Sequence, residues 1–355
     1  MGAGQHVIVV GAGIVGASIA WHLARAGARV TVVDAGGGGG LATPRSWAWI
    51  NASWGNPEPY FRLRIRSMRE WRRLEGEVSD LAVNWCGGLL WDLPPVELER
   101  FIFEHASWGY GIRLVEREEA LLLEPMLKHP PQKAAHVPEE GAVEPAEAAL
   151  TLLRDAERRG ALLRLGIEAK GLASAGARVI GVETGGGRIE ADHVVLAAGV
   201  ATAKLAESVG VAVPLDAPAG LLIATEPADR LLNGLVLAPE LHMRQLPDGR
   251  ILAGTDFGGA DPGADPDNAA AELFAALQEA LKAELRFGRH GVGHRPTPRD
   301  GFPIVGPAQG AEGLTLAVTH SGVTLAPALG LFVADEVLTG RRDPLLAPYG
   351  LERFG

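Results

Sequence analysis

The chain has 355 residues, 47% hydrophobic and 21% charged, and its 43 acidic against 33 basic side chains give a formal charge of -10. That length predicts about two domains with enough apolar sequence for sizeable cores, which excludes a disordered chain, and the acidic balance argues against a protein built to hold polyanionic nucleic acid. One cysteine, Cys86, excludes an intramolecular disulfide and a zinc site of several thiolates, and fits a reducing cytoplasm.

Met1 to Gln5 has no basic region leading into an apolar stretch, and Val7 to Val10 (VIVV) reads as a strand covered on both faces rather than a signal peptide. Ile14 to Ala26 has the length and small-residue content of a helix, and Arg29 to Asp34 (RVTVVD) is a second buried strand, completing a right-handed βαβ unit. A glycine run, Gly36 to Gly40, and a Trp-rich stretch follow. A helix from about Glu58 then carries Phe61, Ile65, Met68 and Trp71 at helical spacing. The six arginines between Arg62 and Arg73 read as its solvated face, not as a nucleic-acid patch.

Pro145 predicts a helix start, with Ala146 to Arg159 amphipathic and Leu162 to Ile167 the strand after it. Arg178 to Glu183 and Arg188 to Glu190 flank three glycines, a hairpin signature, and His193 to Ala198 (HVVLAA) is another buried strand. Between Val211 and Pro296 the sequence turns polar and proline-punctuated, which suggests an inserted second domain with an acidic loop at Asp261 to Asp267 and a helix at Ala269 to Leu285. Gly313 to Ala334 has no Asp, Glu, Lys or Arg and is long enough to span a bilayer. His320, Ser321 and Pro327 inside it instead predict a buried strand, Leu314 to Val318, a turn, and a helix to Leu338, with no membrane span. Pro327 is placed in the first turn of that helix, where a missing N–H costs little.

The most specific local motif is GAGIVG at Gly11 to Gly16, which follows a strand and opens a helix. Gly11 permits the turn, Gly13 lets backbone approach a pyrophosphate and Gly16 lets helix pack on strand, while the helix N-terminus, with Ile14 and Val15, supplies amides and positive dipole. Asp34, followed by Ala35, lies where an acid would hold a ribose hydroxyl. A dinucleotide is the expected ligand, and both NAD and FAD satisfy the motif.

Three further blocks narrow the choice: ADHVVLAAG at Ala191 to Gly199, GHRPTPRDGFPIVGP at Gly293 to Pro307 and THSGVTLAPALG at Thr319 to Gly330. Together with the glycine motif they make the chain resemble the FAD-dependent D-amino acid oxidase superfamily over nearly its whole length. The resemblance implies an α/β fold with an α+β second domain: a discontinuous Rossmann-like FAD-binding domain from residues 1–80, 141–210 and 296–355, and a substrate domain on an antiparallel sheet from 81–140 and 211–295.

For the cofactor, the resemblance implies noncovalent FAD. Thr43, Arg45 and Ser46 would lie along its phosphates and flavin edge, Ile167 would give main-chain contacts to adenine, and Ala198 and Gly199 would pass close by. The helix start at Gly322, Val323, Thr324 and Leu325 would face the flavin's pyrimidine edge, where a positive dipole favours reduction. For the substrate, Arg295 matches the arginine that grips a carboxylate, since a guanidinium offers a planar fork to two oxygens. Arg244 is a second candidate, His242 stands where several amino acid oxidases have a tyrosine, and His320 would line the catalytic face. A salt bridge to Asp300 is the alternative employment for Arg295.

The implied activity is oxidation of the C–N bond of an amino acid or related amine by hydride transfer to flavin, giving an imine that water hydrolyses. Oxygen is favoured as acceptor over a quinone. An NAD-dependent dehydrogenase would share the first βαβ unit but leaves THSGVTLAP without a role, and a noncatalytic flavin-binding subunit is the non-enzymatic alternative. No metal-binding motif is present, and oligomeric state is not written in the sequence.

Overall fold

The computed structural model describes residues 4–53, 56–255 and 259–355. Met1 to Ala3 of the amino-terminal stretch and Trp54 of the Trp-rich stretch lie outside them. A six-stranded sheet has the spatial order Ile304–Pro307, Leu314–Val318, His193–Leu196, His6–Val10, Arg29–Asp34, Leu162–Leu165. All neighbours are parallel except Ile304–Pro307, which runs antiparallel at one edge. The VIVV and RVTVVD runs therefore pair as read, with Val7 opposite Val30 and Val10 opposite Val33.

The helix Ile14–Arg25 packs against Pro145–Arg158 on one side and Gly322–Thr339 on the other. Gly330 allows the second contact: a Cβ there would lie 2.3 Å from Ser18 Oγ and 2.6 Å from His22 Nδ1. The apolar window at Gly313–Ala334 is thus the buried strand and helix expected of it, with Leu325, Ala326, Ala328, Leu329 and Val333 fully enclosed. Pro327, however, is not in the first turn of Gly322–Thr339 but inside the helix. The main-chain groups disturbed by its missing N–H are taken over by side chains of the neighbouring helix Glu58–Glu77.

A second, eight-stranded sheet has the order Phe287–His294, Ala219–Thr225, Ile251–Gly254, Leu241–Gln245, Leu235–Ala238, Gly88–Leu90, Lys133–Val137, Arg113–Glu116. Its pairings are antiparallel except between Leu235–Ala238 and Gly88–Leu90. Chain segments far apart in sequence, 88–137 and 219–294, thereby share one sheet. The helix over this sheet is Pro266–Ala280 rather than 269–285. It starts earlier because Asp265, the end of the acidic loop, accepts a hydrogen bond from Asn268 N at 3.0 Å as its N-cap, with Pro266 at the first position. It stops at Ala280 because Leu281 bridges to Leu127.

The hairpin Arg178–Thr184 and Gly187–Glu190 joins Ala169–Ala175 in a three-stranded sheet. A further small sheet of Trp49–Ile50, Gly141–Val143 and Val83–Asn84 carries Trp49 to the floor of the cavity described next.

Candidate active site

The glycine motif adopts the geometry a pyrophosphate needs. Gly11 has φ +108°, and a Cβ on it would come within 2.3 Å of the Ala197 carbonyl oxygen. A Cβ on Gly16 would sit 1.9 Å from Gly11 O, so helix and turn close on each other only because both positions are bare. Thr43 completes the cradle: its Oγ1 accepts from Ile14 N at 3.2 Å and lies over Gly13. Asp34 braces it from below, Oδ2 accepting from Ala12 N and Oδ1 from Gly36 N, both at 2.7 Å. Each carboxylate oxygen keeps a second lone pair, so the brace and a ribose hydroxyl are compatible.

At the start of the Gly322–Thr339 helix, residues from both halves of the chain enclose a cavity of about 330 Å³ lined by Ser46, Trp49, Arg64, Arg295, His320 and Thr324, among others. Ser321, Val323 and the Gly322–Thr339 helix start open onto it, so first-turn amides, which have no acceptor four residues back, point toward the space. Gly322 packs against Val15, where a Cβ would meet Val15 Cγ2 at 3.3 Å, and this ties the second cofactor block to the first.

Arg295 follows the strand Phe287–His294 and reaches the cavity wall. Its Nη2 donates to Gly259 O at 3.2 Å, its Nε is buried without a hydrogen-bond partner, and among the described residues it has no acidic partner. Asp300, the alternative partner, is bound instead by Arg353 at 2.6 Å. Arg295 is thus a cation with donors to spare at a cavity that no carboxylate lines among the described residues. His320 also lines the cavity, its Nε2 2.8 Å from Gly301 O and its Nδ1 3.1 Å from Ser321 Oγ.

Other predicted residues are placed differently. Arg244 is buried with its guanidinium committed to Trp47 O at 2.7 Å, Val143 O at 3.3 Å and Glu144 Oε1 at 3.0 Å; it pins three chain segments and does not line the cavity. His242 likewise stays outside the cavity, its Nε2 2.9 Å from Asp92 Oδ2 and its ring against Trp47. Both sit on Leu241–Gln245, a central strand whose faces are buried, so both side chains are spent on neighbouring segments. Arg45 is exposed and donates to Leu41 O, whereas its neighbour Ser46 does reach the cavity. The Ile167 N–H is spent on Asp34 O at 2.9 Å, which leaves only its carbonyl for an adenine. Ala198 and Gly199 lie at the end of His193–Leu196, beside the crowded Gly11 turn.

Two buried charged residues at or beside the cavity escaped the sequence reading. Arg64, counted among solvated arginines, is 6% exposed and lines the cavity. Nε donates to Asn51 O at 3.0 Å, Nη2 to Asn51 Oδ1 at 2.7 Å and Nη1 to Ser321 Oγ at 2.9 Å. Its burial was legible in principle, because Arg64 stands three residues from Phe61 and four from Met68, at the margin of the apolar stripe. Glu140 is fully buried and accepts from Trp49 Nε1 at 2.8 Å, Ser53 Oγ at 2.6 Å and Tyr110 Oη at 2.5 Å. Burial raises its carboxyl to about 7, although these hydrogen bonds pull the other way. No motif marks it in the sequence.

The match to known proteins decides the class. Residues 6–336 fit the family model described as FAD dependent oxidoreductase. A glycine oxidase from Pseudomonas aeruginosa is 31% identical, the alignment covering 97% of each chain. The chain belongs to this FAD-dependent oxidoreductase family. The flavoprotein is similar in structure to glycine oxidase from Geobacillus kaustophilus, at a TM-score of 0.86 with 25% identity over 98% of each chain. It also shares its fold with L-proline dehydrogenase from P. horikoshii, at a TM-score of 0.90 with 24% identity over 100% of this chain and 98% of the other. It is therefore an FAD-dependent amino acid or amine oxidoreductase.

Proposed function

We propose that this flavoprotein oxidises the C–N bond of a small amino acid or N-substituted amino acid, with Arg295 holding the substrate carboxylate. The observation that carries this reading is the Arg295 guanidinium, its Nε without a hydrogen-bond partner and with no acidic partner among the described residues, at a cavity whose described lining has no carboxylate. FAD, when bound, supplies the two-electron acceptor. The chain supplies position and electrostatics: Arg295 fixes one end of the substrate, Arg64 and Ser321 fix the helix start, and the amides of that start favour negative charge where reduction places it. The residues 81–140 and 211–295 are the proposed substrate domain, supported by the single sheet that strands from both segments build.

FAD is proposed to bind noncovalently, since Cys86 does not line the cavity. Oxygen is the proposed acceptor. Mixing the anaerobic holoprotein with glycine, sarcosine, proline and a panel of D- and L-amino acids tests the reading. Bleaching of the yellow absorbance by at least one of them is expected, and absence of bleaching by all would refute amine oxidation. Reoxidation of the bleached protein by air within the turnover time supports oxygen; reoxidation only by a quinone replaces it.

A further inference from the structure

We propose that Ser53 and Glu140 form a proton-accepting pair that removes from the bound substrate the ammonium proton it must lose before its C–N bond is oxidised, a role that rests on the amine-oxidation reading above. The three donors around Glu140 are not equivalent. Trp49 Nε1 donates only, to Oε2 at 2.8 Å. Tyr110 Oη accepts from Ala52 N at 3.2 Å and donates to Oε1 at 2.5 Å; fully enclosed, its proton has no alternative acceptor in the described structure. Ser53 donates to Oε1 at 2.6 Å and also lines the cavity. Of the three, Ser53 alone both lines the cavity and carries a group that can accept as well as donate, so it is the group that can reverse.

The transfer balances without any change of oxidation state. A substrate N–H bond breaks and its proton joins Ser53 Oγ, while the original Ser53 proton moves to Glu140 Oε1; ammonium and carboxylate become amine and carboxylic acid. Two proton positions shift, and no charge needs to leave the site during the step. The carboxyl's ionisation near 7 suits it to the task, because a base titrating near the working pH combines availability with driving force. Charged groups close to Glu140 in the fold point elsewhere. Glu139 Oε1 accepts from Gly111 N, Arg72 donates to Glu139 O and lies over the Trp85 ring, and Glu75 is engaged by Val83 N and Trp85 Nε1. On the cavity side, Arg64 is held by Asn51 and Ser321. The titration therefore belongs to Glu140 with its hydroxyl partners Ser53 and Tyr110.

The test has a readout independent of turnover. Infrared difference spectra of the holoprotein across about pH 6 to 8 are expected to show a buried carboxylic-acid carbonyl band that Glu140→Gln lacks and Ser53→Ala shifts. In anaerobic stopped flow with a substrate that bleaches the parent, the bleaching rate should rise with pH through an inflection near 7. Glu140→Gln and Ser53→Ala should lose that inflection and fall about 10²-fold at the alkaline end. Ser53→Thr, which keeps the hydroxyl, should restore it, and Tyr110→Phe should move it upward without removing it. A missing band overturns the proposal whatever the protein oxidises. So does an inflection that survives in both Glu140→Gln and Ser53→Ala. A parent bleached by no amine, its band present, brings down the functional reading and this role together.

Discussion

Trp71 Nε1 donates to the Val323 carbonyl at 3.0 Å, the acceptor that Pro327, four residues later and without an N–H, leaves open inside the Gly322–Thr339 helix. The next amide, Ala328 N, bonds to Ser67 Oγ at 3.2 Å. Two side chains of Glu58–Glu77 thus replace the broken rungs one turn beyond the residues that face the cavity. Trp71→Phe keeps most of the apolar contact but strands a buried carbonyl, with an expected loss of about 1–3 kcal/mol. Urea denaturation of the holoprotein checks this, and a loss no larger for Trp71→Phe than for an exposed control would show that the carbonyl finds another donor.

Arg295→Gln removes the charge and the fork but keeps a polar side chain. Losing a charge-assisted carboxylate contact in an enclosed site costs about 2–5 kcal/mol, so the substrate concentration for half-maximal bleaching should rise by more than about 10-fold. FAD content should be close to the parent's. Equal substrate dependence would remove Arg295 from the site.

Arg64→Gln acts on the cofactor rather than the substrate. It abandons Ser321 Oγ and one face of Asn51, whose N–H donates to Thr324 Oγ1 at 3.4 Å while Thr324 in turn donates to Trp49 O. The helix start loses its lateral support. Release of FAD on dilution should become at least about 10-fold more favourable, read by flavin fluorescence, with Arg64→Lys intermediate because an ammonium cannot reproduce the fork.

Acid should unfold this protein partly through His22. Burial pushes its imidazole down to about 3, with Nδ1 2.8 Å from Ser18 O and Nε2 2.8 Å from Arg73 Nη2. The unfolded chain binds a proton at about 6.5 and the folded one does not, so this contribution is intact above about 6.5 and is lost progressively as pH falls toward 3. Glu140 has the opposite sign: its raised folded value adds stability at low pH that fades as pH rises through about 7. The two overlap, so the informative measurement is the difference between the parent and His22→Gln. The parent should lose about 2–3 kcal/mol more between about pH 6 and 4, and parallel stability curves would contradict the assignment.

Gly330→Ala places a methyl against Ser18 and His22, where the two longest-range cofactor elements touch. Overpacking there should cost about 1–3 kcal/mol, and because the glycine cradle rides on the displaced helix, FAD affinity should fall with stability. Wild-type FAD affinity in a destabilised variant would separate the two effects and count against the coupling.

Much of this architecture was legible from residues alone, for reasons that vary by element. VIVV and RVTVVD are buried on both faces, so their pattern survives any choice of neighbour, and the glycine motif is dictated by local crowding between Gly11, Gly16 and Ala197. Arg295 was reached through the block that contains it. What escaped depends on partners remote in sequence. Arg64 is buried because Ser321 lies 257 residues away, and Glu140 because Tyr110 and Ser53 converge on it. Arg244 and His242 lie off the cavity for the same reason: a strand with both faces covered looks, one residue at a time, like a strand with one face open. Pro327 was misplaced because a proline's cost depends on whether a neighbour takes the orphaned carbonyl, and Trp71 is in another helix.

The strand order of the six-stranded sheet bears on when the cofactor is captured. Leu314–Val318 pairs with His193–Leu196, which pairs with His6–Val10, so the sheet carrying the glycine cradle gains its last two strands, Ile304–Pro307 and Leu314–Val318, only from the last part of the chain. A ribosome-bound chain halted before residue 314 lacks that strand, the helix start at Gly322 and the Gly330 contact together. The full set of cofactor blocks read from the sequence is therefore assembled only late in synthesis, by long-range pairing of the kind that slows folding. Until then the Val15 side of the cradle lacks the Gly322 contact that closes it.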